Sequence, residues 1–302
     1  MKYRDQAVEV SRRTLFESET LQIGWFAANP VSDVCGDVER QSLNAVVLPF
    51  SGVFSKHDGP GQHVIGTPSH AVFIAAETPY RISFPGSIGD RALILRFGRS
   101  LAPDWLNAGG SSGHPALASH GLLPASAMML RNLLRVQLKE ARPDDFEIET
   151  LGLDFLNVSL RSMRKDDLSL RRPALARRAR ALERVKEAVA VAPGDKWNIA
   201  KLAKIAGLSS FHLCHVFRQM GGTSIYDYVL RERLAHSLDA VLDCGDNLTA
   251  IALDAGFASH SHFTARFRNF FGCTPAALRR LATARQITEL RKIVTARPVD
   301  LP

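Results

Sequence analysis

Short apolar runs separated by glycine and proline dominate the chain between Ala45 and Phe97. The runs AVVLPFSGVF, HAVFIAAETPYRISFPG and ALILRFG are rich in Val, Ile and Phe, and turn-forming sequences lie between them. Runs of this length and composition predict an all-β sandwich or a small barrel. Proline cannot donate a hydrogen bond to a strand ladder, so we expect four prolines at edges and turns: Pro49, Pro60, Pro79 and Pro85.

A helical pattern replaces the strand pattern after residue 124. The stretch from Ala125 to Ala141 contains neither glycine nor proline, and a second helix is expected from Phe146 to Met163, with Gly152 as its weak point. This second helix carries two neighbouring apolar stripes, one made of Ile148, Leu151, Phe155 and Val158 and the other of Leu153, Leu156, Leu160 and Met163. The stripes face either the β domain and a second subunit, or only the core of their own domain.

One helical pattern occurs twice in the second half of the chain. The segment IAKLAKIAGLSSFHLCHVFRQMGGTSIYDYV begins at Ile199, and LTAIALDAGFASHSHFTARFRNFFGCTPAAL begins at Leu248. Each copy predicts a helix, a tight turn and a second helix, because a glycine suited to positive φ (Gly207 or Gly256) follows the first apolar run. A serine then follows that can cap the second helix, either Ser209 or Ser210 in the first copy and Ser259 in the second.

The second helix of each copy has an apolar face and a polar face. Leu213, Val216 and Phe217 anchor the first, and Phe263 and Phe267 anchor the other. The residues left facing outward are our candidate DNA-binding residues: Ser210, Phe211, His212, Cys214, His215 and Arg218, then His260, Ser261, His262, Thr264, Ala265 and Arg268. Ser, Thr and His hydrogen-bond base edges, and arginine reaches phosphates, so such a face fits a major groove. The alternative is a helical-hairpin bundle whose outward face is simply solvated.

A connecting helix is expected from Ser224 to about Leu242. At 1.5 Å per residue it spans about 28 Å. Successive turns of the major groove on one face of DNA lie about 34 Å apart, so a single chain can read two adjacent groove segments.

Charge separates the two halves of the 302-residue chain, which is long enough for two domains. Residues 1–170 hold 17 basic and 19 acidic side chains, a net charge of −2, whereas residues 171–302 hold 21 and 11, a net charge of +10. The asymmetry favours a polyanionic partner for the second half, the alternative being a basic surface without a partner. An apolar fraction of 46% indicates a globular protein.

Cysteine usage and the N-terminal sequence indicate a cytoplasmic protein. Cys35, Cys214, Cys244 and Cys273 are scattered without a C-x-x-C pair, so free thiols are expected. Charged residues interrupt every apolar run well before about 18 residues, and the first 20 residues lack an apolar core, so neither secretion nor membrane spanning is expected.

Catalytic chemistry finds little support in the sequence. His57, His63 and His70 are the candidate metal ligands, but they are six and seven residues apart, and no carboxylate accompanies them at a matching place. A nucleophile elbow, a phosphate loop and a dinucleotide fingerprint are all absent. We therefore expect no catalytic site, metal or cofactor. The alternative is a cupin-type enzyme fused to a DNA-binding module.

The motifs LAKIAGLSSFHLCHVFRQMGGTS, RERLAHSLDAVL and IALDAGFASHSHFTARFRNFFGCTPAALR resemble the AraC/XylS family of bacterial transcription regulators, over about residues 180–281. The resemblance implies a seven-helix DNA-binding domain whose reading helices are 210–220 and 259–269 here. Where the family often has a basic residue, this chain has His215 and Ala265; Ala265 cannot donate to a base, although Arg266 beside it can. Leu278 stands where a tyrosine is usual.

The first half is similar, more distantly, to the cupin-type regulatory domain of the same family, in which the barrel holds an effector and the following helices dimerise. By analogy, Phe50, Phe54, Phe73 and Tyr80 are candidates for lining an effector cavity. The resemblance implies a sequence-specific regulator, in many relatives an activator. Its implied partners are double-stranded DNA, a second copy of the chain, a small-molecule effector and RNA polymerase.

The expected fold is therefore α+β. It comprises an N-terminal cupin-like β-barrel or sandwich with trailing helices, and a C-terminal all-α domain with two helix-turn-helix motifs. The expected boundaries are 1–165 for the regulatory domain, 166–173 for a linker, 174–281 for the DNA-binding domain, and 282–302 for a tail to which the sequence assigns no role.

Overall fold

The computed structural model describes residues 8–59, 62–98, 119–139, 143–163, 173–243, 245 and 247–283. The chain forms two compact units. The first combines Met1–Leu123 with Gln137–Leu170, and the second combines Pro124–Val136 with Arg171–Pro302. A short segment that we expected in the first domain is therefore part of the second unit. Pro60, Cys244 and the tail from residue 284 lie outside the described residues.

Two antiparallel sheets build the first unit. Their strands are β1 (Val8–Glu17), β2 (Leu21–Pro30), β3 (Asn44–Gly52), β4 (Phe54–Gly59), β5 (Gln62–Gly66), β6 (His70–Ile74), β7 (Arg81–Ser83), β8 (Asp90–Phe97) and β9 (His120–Leu122). The large sheet has the order β1-β2-β8-β3-β6-β9 and the small sheet the order β5-β4-β7. The expected β domain is confirmed, in the form of a sandwich.

Alternate side chains of the large sheet form the core of the sandwich. Val47, Val72 and Ala92 pack in one buried cluster with Phe54 of the small sheet, and Ile82 of β7 packs against this cluster. Because successive side chains of a strand point to opposite faces, the residues between them project from the other face of the large sheet.

Pro49 departs from the expected position at an edge or turn. It lies within β3, which is flanked by β8 and β6. The ladder between β3 and β6 extends only from Ala45 to Val47, and the ladder between β3 and β8 changes register between Pro49 and Ser51. A bulge thus accommodates a residue that has no N–H to donate. Pro85 begins a short 3-10 turn, as a turn proline is expected to do.

Two helices follow the strands, α1 (Ala125–Gln137) and α2 (Asp145–Ser162). The Asp144 side chain caps α2 by accepting a hydrogen bond from the N–H of Glu147. Gly152 allows α2 to approach β2 closely, since a Cβ atom there would lie 2.5 Å from Cδ2 of Leu21. Members of both apolar stripes are buried within the single chain, namely Ile148, Leu151, Phe155, Leu156, Leu160 and Met163. The other two stripe residues, Leu153 and Val158, are partly exposed.

Seven helices form the described part of the second unit that follows residue 172, the number that the family resemblance implies. They are α3 (Pro173–Val191), α4 (Ile199–Ala206), α5 (Ser210–Gly221), α6 (Ile225–Leu242), α7 (Leu248–Asp254), α8 (His260–Phe271) and α9 (Pro275–Thr283). None of the helices in the described ranges has the length and apolar character that crossing a bilayer requires.

Helix α1 joins the second unit through charged and apolar contacts. Arg135 forms an ion pair with Asp239 of α6 at 2.7 Å and lies 3.6 Å from Asp243. The side chain of Arg131 is fully buried, and burial lowers its pKa to about 9 although Asp239 opposes the shift. Apolar residues of α1, α6 and α9 line a small shared cavity, among them Met129, Leu133, Leu242 and Leu278. These contacts place most of α1 in the second unit.

Candidate nucleic-acid interface

Local caps and one glycine define the first motif, α4 and α5. Asn198 caps α4 by accepting from the N–H of Lys201 at 2.8 Å. Gly207 ends that helix with φ of 68°, a left-handed conformation that glycine adopts without steric cost. Ser209, one of the two serines considered, caps α5 by accepting from the N–H of His212 at 3.2 Å.

The second motif, α7 and α8, repeats this construction. Asn247 caps α7 by accepting from the N–H of Thr249 at 2.9 Å, and Ser259 caps α8 by accepting from the N–H of His262 at 3.2 Å. Gly256 lies in the turn between them with φ of 79°. Both α5 and α8 then end at a glycine with positive φ, Gly222 and Gly272. The sequence repeat is therefore also a repeat of backbone conformation.

Buried apolar side chains fix the rotation of α5 and α8. Leu213, Val216 and Phe217 are buried on α5, as predicted. On α8 the buried residues are Phe263, Phe267 and Phe271, whose rings contact in sequence at centroid distances of 5.4 and 4.5 Å. Each of these aromatic side chains buries a large apolar area, so the helices have little freedom to rotate.

The twelve candidate DNA-binding residues all lie on the outer surface. Ten of them are exposed, and two, His212 and Thr264, are partly exposed. Phe211 is the most notable, since 84% of its side chain is accessible although it is large and apolar. Each set of six is therefore displayed by its helix, opposite the residues that anchor it.

One imidazole of α8, that of His262, is held by neighbouring side chains. The ring of His262 meets Phe257 edge-on at 5.5 Å, and its Nε2 accepts a hydrogen bond from Nε of Arg266 at 3.3 Å. The guanidinium of Arg266 also lies 5.9 Å from the ring centre of Tyr226, at the start of α6. Arg266, which sequence analysis offered as a substitute for Ala265, is thus already engaged. Its spacing of four from His262 was the available signal for this pair.

Helix α6 contacts the second helix of both motifs. Tyr228 packs on Phe217 of α5 with ring centroids 5.3 Å apart, and the guanidinium of Arg231 lies 5.2 Å from the ring centre of Phe270 on α8. Tyr228 is fully buried, and burial, together with the nearby Glu232 carboxyl, raises its pKa. With 18 residues α6 is about 27 Å long, close to the expected span.

Several arginines of the second unit serve the fold itself. Arg184 of α3 donates to the carbonyl of Ala206 at 2.7 Å, at the end of α4. Arg233 donates to the carbonyls of Pro193 and Asp195 at 2.9 and 2.7 Å, and Arg279 donates to that of Val241 at 2.8 Å. They satisfy carbonyl groups at or beyond helix ends that lack helical partners. Part of the basic excess is thus engaged in hydrogen bonds to the protein's own backbone, which composition alone does not reveal.

The four candidate effector residues are all buried, but they do not line one space. Phe54 and Tyr80 belong to the sandwich core, together with Val72 and Ile74. Phe73 lies between the latter two on β6 and therefore points to the opposite face of the sheet. Phe50 is the extra residue of the bulge in β3 and stacks on Trp25 at 5.9 Å. The bulge and strand alternation, which the apolar runs do not reveal, separate the four.

The three histidines considered as metal ligands occupy two places. His57 and His63 face each other across β4 and β5 with ring centroids 5.5 Å apart, and Nε2 of His57 is 2.8 Å from Oγ of Ser83. His70 is buried elsewhere, with Nδ1 at 2.8 Å from Oγ1 of Thr67. Within the described ranges, no group of three His, Cys, Asp or Glu side chains is placed to hold a metal ion.

The thiols that the structure describes are not joined in disulfides, as expected from the sequence. They are Cys35, Cys214 and Cys273, of which Cys214 is exposed on α5.

Comparison with protein families places one similarity in the second unit. A model for a helix-turn-helix domain matches residues 202–281. The chain is 33% identical over 89 residues to the virulence regulon transcriptional activator VirF of Yersinia enterocolitica, and this match spans 29% of the chain but only 33% of VirF. It is 32% identical over 85 residues to PqrA of Proteus vulgaris, a probable transcription factor, spanning 28% of the chain and 70% of PqrA.

Among solved structures, a transcriptional regulator from Chromobacterium violaceum with an AraC-type DNA-binding domain is 27% identical, covering 34% of this chain and 96% of its own, with a TM-score of 0.31. The repeated motifs, the helix-turn-helix match and the extent of similarity to PqrA agree with one another. The chain belongs to the AraC/XylS family of bacterial transcription regulators.

Proposed function

We propose that the protein binds specific DNA sequences and regulates transcription in the cytoplasm, without a catalytic step. The observation that supports this most directly is the pair of matched motifs, each displaying six exposed or partly exposed residues opposite a buried aromatic anchor. Contacts of α6 with both second helices supply the fixed spacing that reading two groove segments requires.

In this proposal α5 and α8 enter neighbouring segments of the major groove. His215 of α5 and the first turn of α8 contact base edges, where Ser and His donate or accept hydrogen bonds. Arg218 and Arg268 lie near the far ends of the helices and contact phosphates, which position the protein without reading sequence. The exposed ring of Phe211 offers an apolar surface suited to the methyl group of thymine.

The first unit is proposed to supply control. Resemblance to the family supports an effector-responsive sandwich and a homodimer that reads paired half-sites. The family also supports a contact with RNA polymerase when the bound protein activates transcription. These partners rest on the family resemblance, while DNA binding rests on the geometry of the second unit as well.

The salt dependence of DNA affinity tests the proposal. DNA fragments bound in a genome-wide mapping experiment are labelled, and their affinity is measured by fluorescence anisotropy over a range of salt concentrations. The logarithm of the association constant should fall linearly with that of the salt concentration, with a slope of about −0.9 per neutralised phosphate. Replacing both Arg218 and Arg268 by Ala should reduce the slope by about two, whereas Arg91→Ala, on an exposed position of β8 in the first unit, should not. A flat response to salt would contradict DNA binding of this kind.

A further inference from the structure

Three strands of the large sheet align a row of small and apolar residues. Thr14 of β1, Gly24 of β2 and Ile94 of β8 are direct cross-strand partners and therefore share one face. The same face carries the next cross-strand pair on each side of Gly24. Arg12 pairs with Phe26 on one side, and Gln22 pairs with Arg96 on the other. Phe26 and Ile94 pack against the sandwich core, so this face continues the interior of the sandwich toward its β1 edge.

Gly24 leaves room for a guanidinium at the centre of this face. A Cβ atom at Gly24 would lie 3.1 Å from Nη1 of Arg96, closer than most side-chain contacts allow. The absent side chain and the flanking residues create a groove of about 180 Å³, lined by Arg12, Thr14, Ile94 and Arg96 among others. We call this the β1–β8 groove.

The β1–β8 groove holds more positive than negative charge. Arg96 donates to the neutral side-chain oxygen of Gln22 at 3.3 Å, and within the described residues it forms no ion pair with a carboxylate. Glu39 is 3.7 Å from Arg12, and it also accepts a hydrogen bond from the hydroxyl of Tyr80 at 3.2 Å. Among the described residues, Arg12 therefore has one carboxylate partner, whereas Arg96 has none.

Electrostatics inside the groove agree with this imbalance. Partial burial is the main reason that the pKa of Arg96 lies below its ordinary value, and the charge of Arg12 lowers it further although Tyr80 opposes the shift. A negatively charged group between the two arginines would stabilise both of their charged forms.

We propose that the β1–β8 groove binds a small organic anion, with its charged group held by Arg96 and Arg12. Guanidinium groups bind carboxylates and phosphates through paired N–H donors, which both anion classes satisfy. A cavity of about 150 Å³ accommodates benzene, so the groove suits a ligand with one six-membered ring and one anionic group. Ile94, which lines the groove, supplies an apolar contact for the ring. The role of this anion as the effector rests on the proposed function, whereas its binding does not.

Isothermal titration calorimetry of the full chain tests the proposal with three probes: cyclohexanecarboxylate, the neutral cyclohexanecarboxamide of the same shape, and inorganic phosphate. The carboxylate should bind at least about tenfold more tightly than the amide, because only its charge pairs with the arginines. Binding of phosphate in preference to the carboxylate would point to a phosphate-bearing ligand and would equally support an anion site.

Variants locate the site. Arg96→Gln should weaken anion binding at least about tenfold, and Arg96→Lys should retain part of it. Arg91→Gln is the matched control, because Arg91 lies on the same strand, is exposed and does not line the groove. If Arg96→Gln fails to fold, Arg12→Gln carries the test, since the Arg12 side chain is 60% exposed and is removed with little loss of packing.

Three outcomes would overturn the proposal: no binding of either anion up to about 10 mM, equal binding of the carboxylate and the amide, or unchanged binding by the Arg96 and Arg12 variants. Salt-dependent DNA binding is measured on the same preparations. If it persists while anion binding is absent, only the groove assignment fails. If anions bind and DNA affinity does not respond to salt, only the proposed function fails.

Discussion

Gly256 and Gly194 meet backbone to backbone. A Cβ atom at Gly256 would lie 2.5 Å from the carbonyl oxygen of Gly194, and one at Gly194 would lie 2.3 Å from that of Asp254. The loop after α3 is thus pressed against the turn of the second motif. The equivalent turn of the first motif is looser, because a Cβ atom at Gly207 would meet only the flexible end of Arg184, at 3.9 Å.

The two turn glycines should therefore differ in their tolerance of alanine. Gly207→Ala forces an L-residue into the left-handed region, at a cost of about 1–2 kcal/mol. Gly256→Ala adds a collision with backbone atoms and should destabilise the protein by more than Gly207→Ala does. Urea unfolding followed by circular dichroism measures both free energies. Equal losses would show that the Gly194 loop yields easily, and Gly194→Ala provides the reciprocal check.

Substitution of the buried phenylalanine of α5 should reduce stability, whereas substitution of the exposed one should reduce DNA affinity. Phe217 is fully buried, so Phe217→Ala should reduce the free energy of unfolding by about 3–5 kcal/mol. Phe211 is 84% exposed, so Phe211→Ala should change stability by less than about 0.5 kcal/mol. We expect this second variant to lose about 1 kcal/mol of affinity for target DNA, through the apolar contact it removes. Thermal unfolding and fluorescence anisotropy measure the two effects. Unchanged DNA affinity of Phe211→Ala would remove that residue from the interface.

Base reading and phosphate contact should be separable on the same helix. His215→Ala should reduce discrimination between the target and a mismatched site by about 1 kcal/mol or more. Arg218→Ala should weaken binding to all DNA sequences alike. It should also reduce the slope of log association constant against log salt concentration by about one. Competition titrations with target and mismatched duplexes distinguish the two. Equal losses on every duplex for His215→Ala would exclude a base contact.

Asp90 should make the stability of the sandwich depend on pH. Burial raises the pKa of its carboxyl from the ordinary 3.8 to about 7. Oδ1 of Asp90 has no hydrogen-bond partner among the described residues. Since the folded pKa is the higher one, the unfolded chain releases this proton first as the pH rises. The contribution of the neutral carboxyl is complete below about pH 4 and is lost as the pH rises to about 7.

Asp90→Asn should therefore raise the free energy of unfolding relative to the unaltered protein by about 2–4 kcal/mol at pH 8, and by much less at pH 4. The difference between the two proteins, measured by urea unfolding across this range, isolates Asp90 from other titrating groups. A difference that stays constant with pH would show that the pKa of this carboxyl is the same in the folded and unfolded states.

Features set by near neighbours in the sequence were predictable, and features set by distant ones were not. Helix caps act within three residues, so the pattern identified Ser259 and narrowed the first cap to Ser209 or Ser210. The aromatic anchors follow helical spacing and were identified in the same way. The partner of Arg135 lies in a different helix far along the chain, and helical periodicity shows that α1 has an apolar face without showing what covers it. The contact of Gly194 with the second turn was likewise hidden, because nothing in the repeat involves that loop.

The order in which the chain contributes segments to its two units limits how the two halves can be exchanged during evolution. Pro124–Val136 belongs to the second unit while the segments on either side belong to the first, so the polypeptide passes between the units three times. A recombination event that joined this DNA-binding half to another sensor at residues 164–172 would leave Leu242 and Leu278 without the apolar surface of α1. Chimeric proteins that join the second half to another sensor without α1 should therefore be less stable than chimeras that keep α1 together with the helices it contacts.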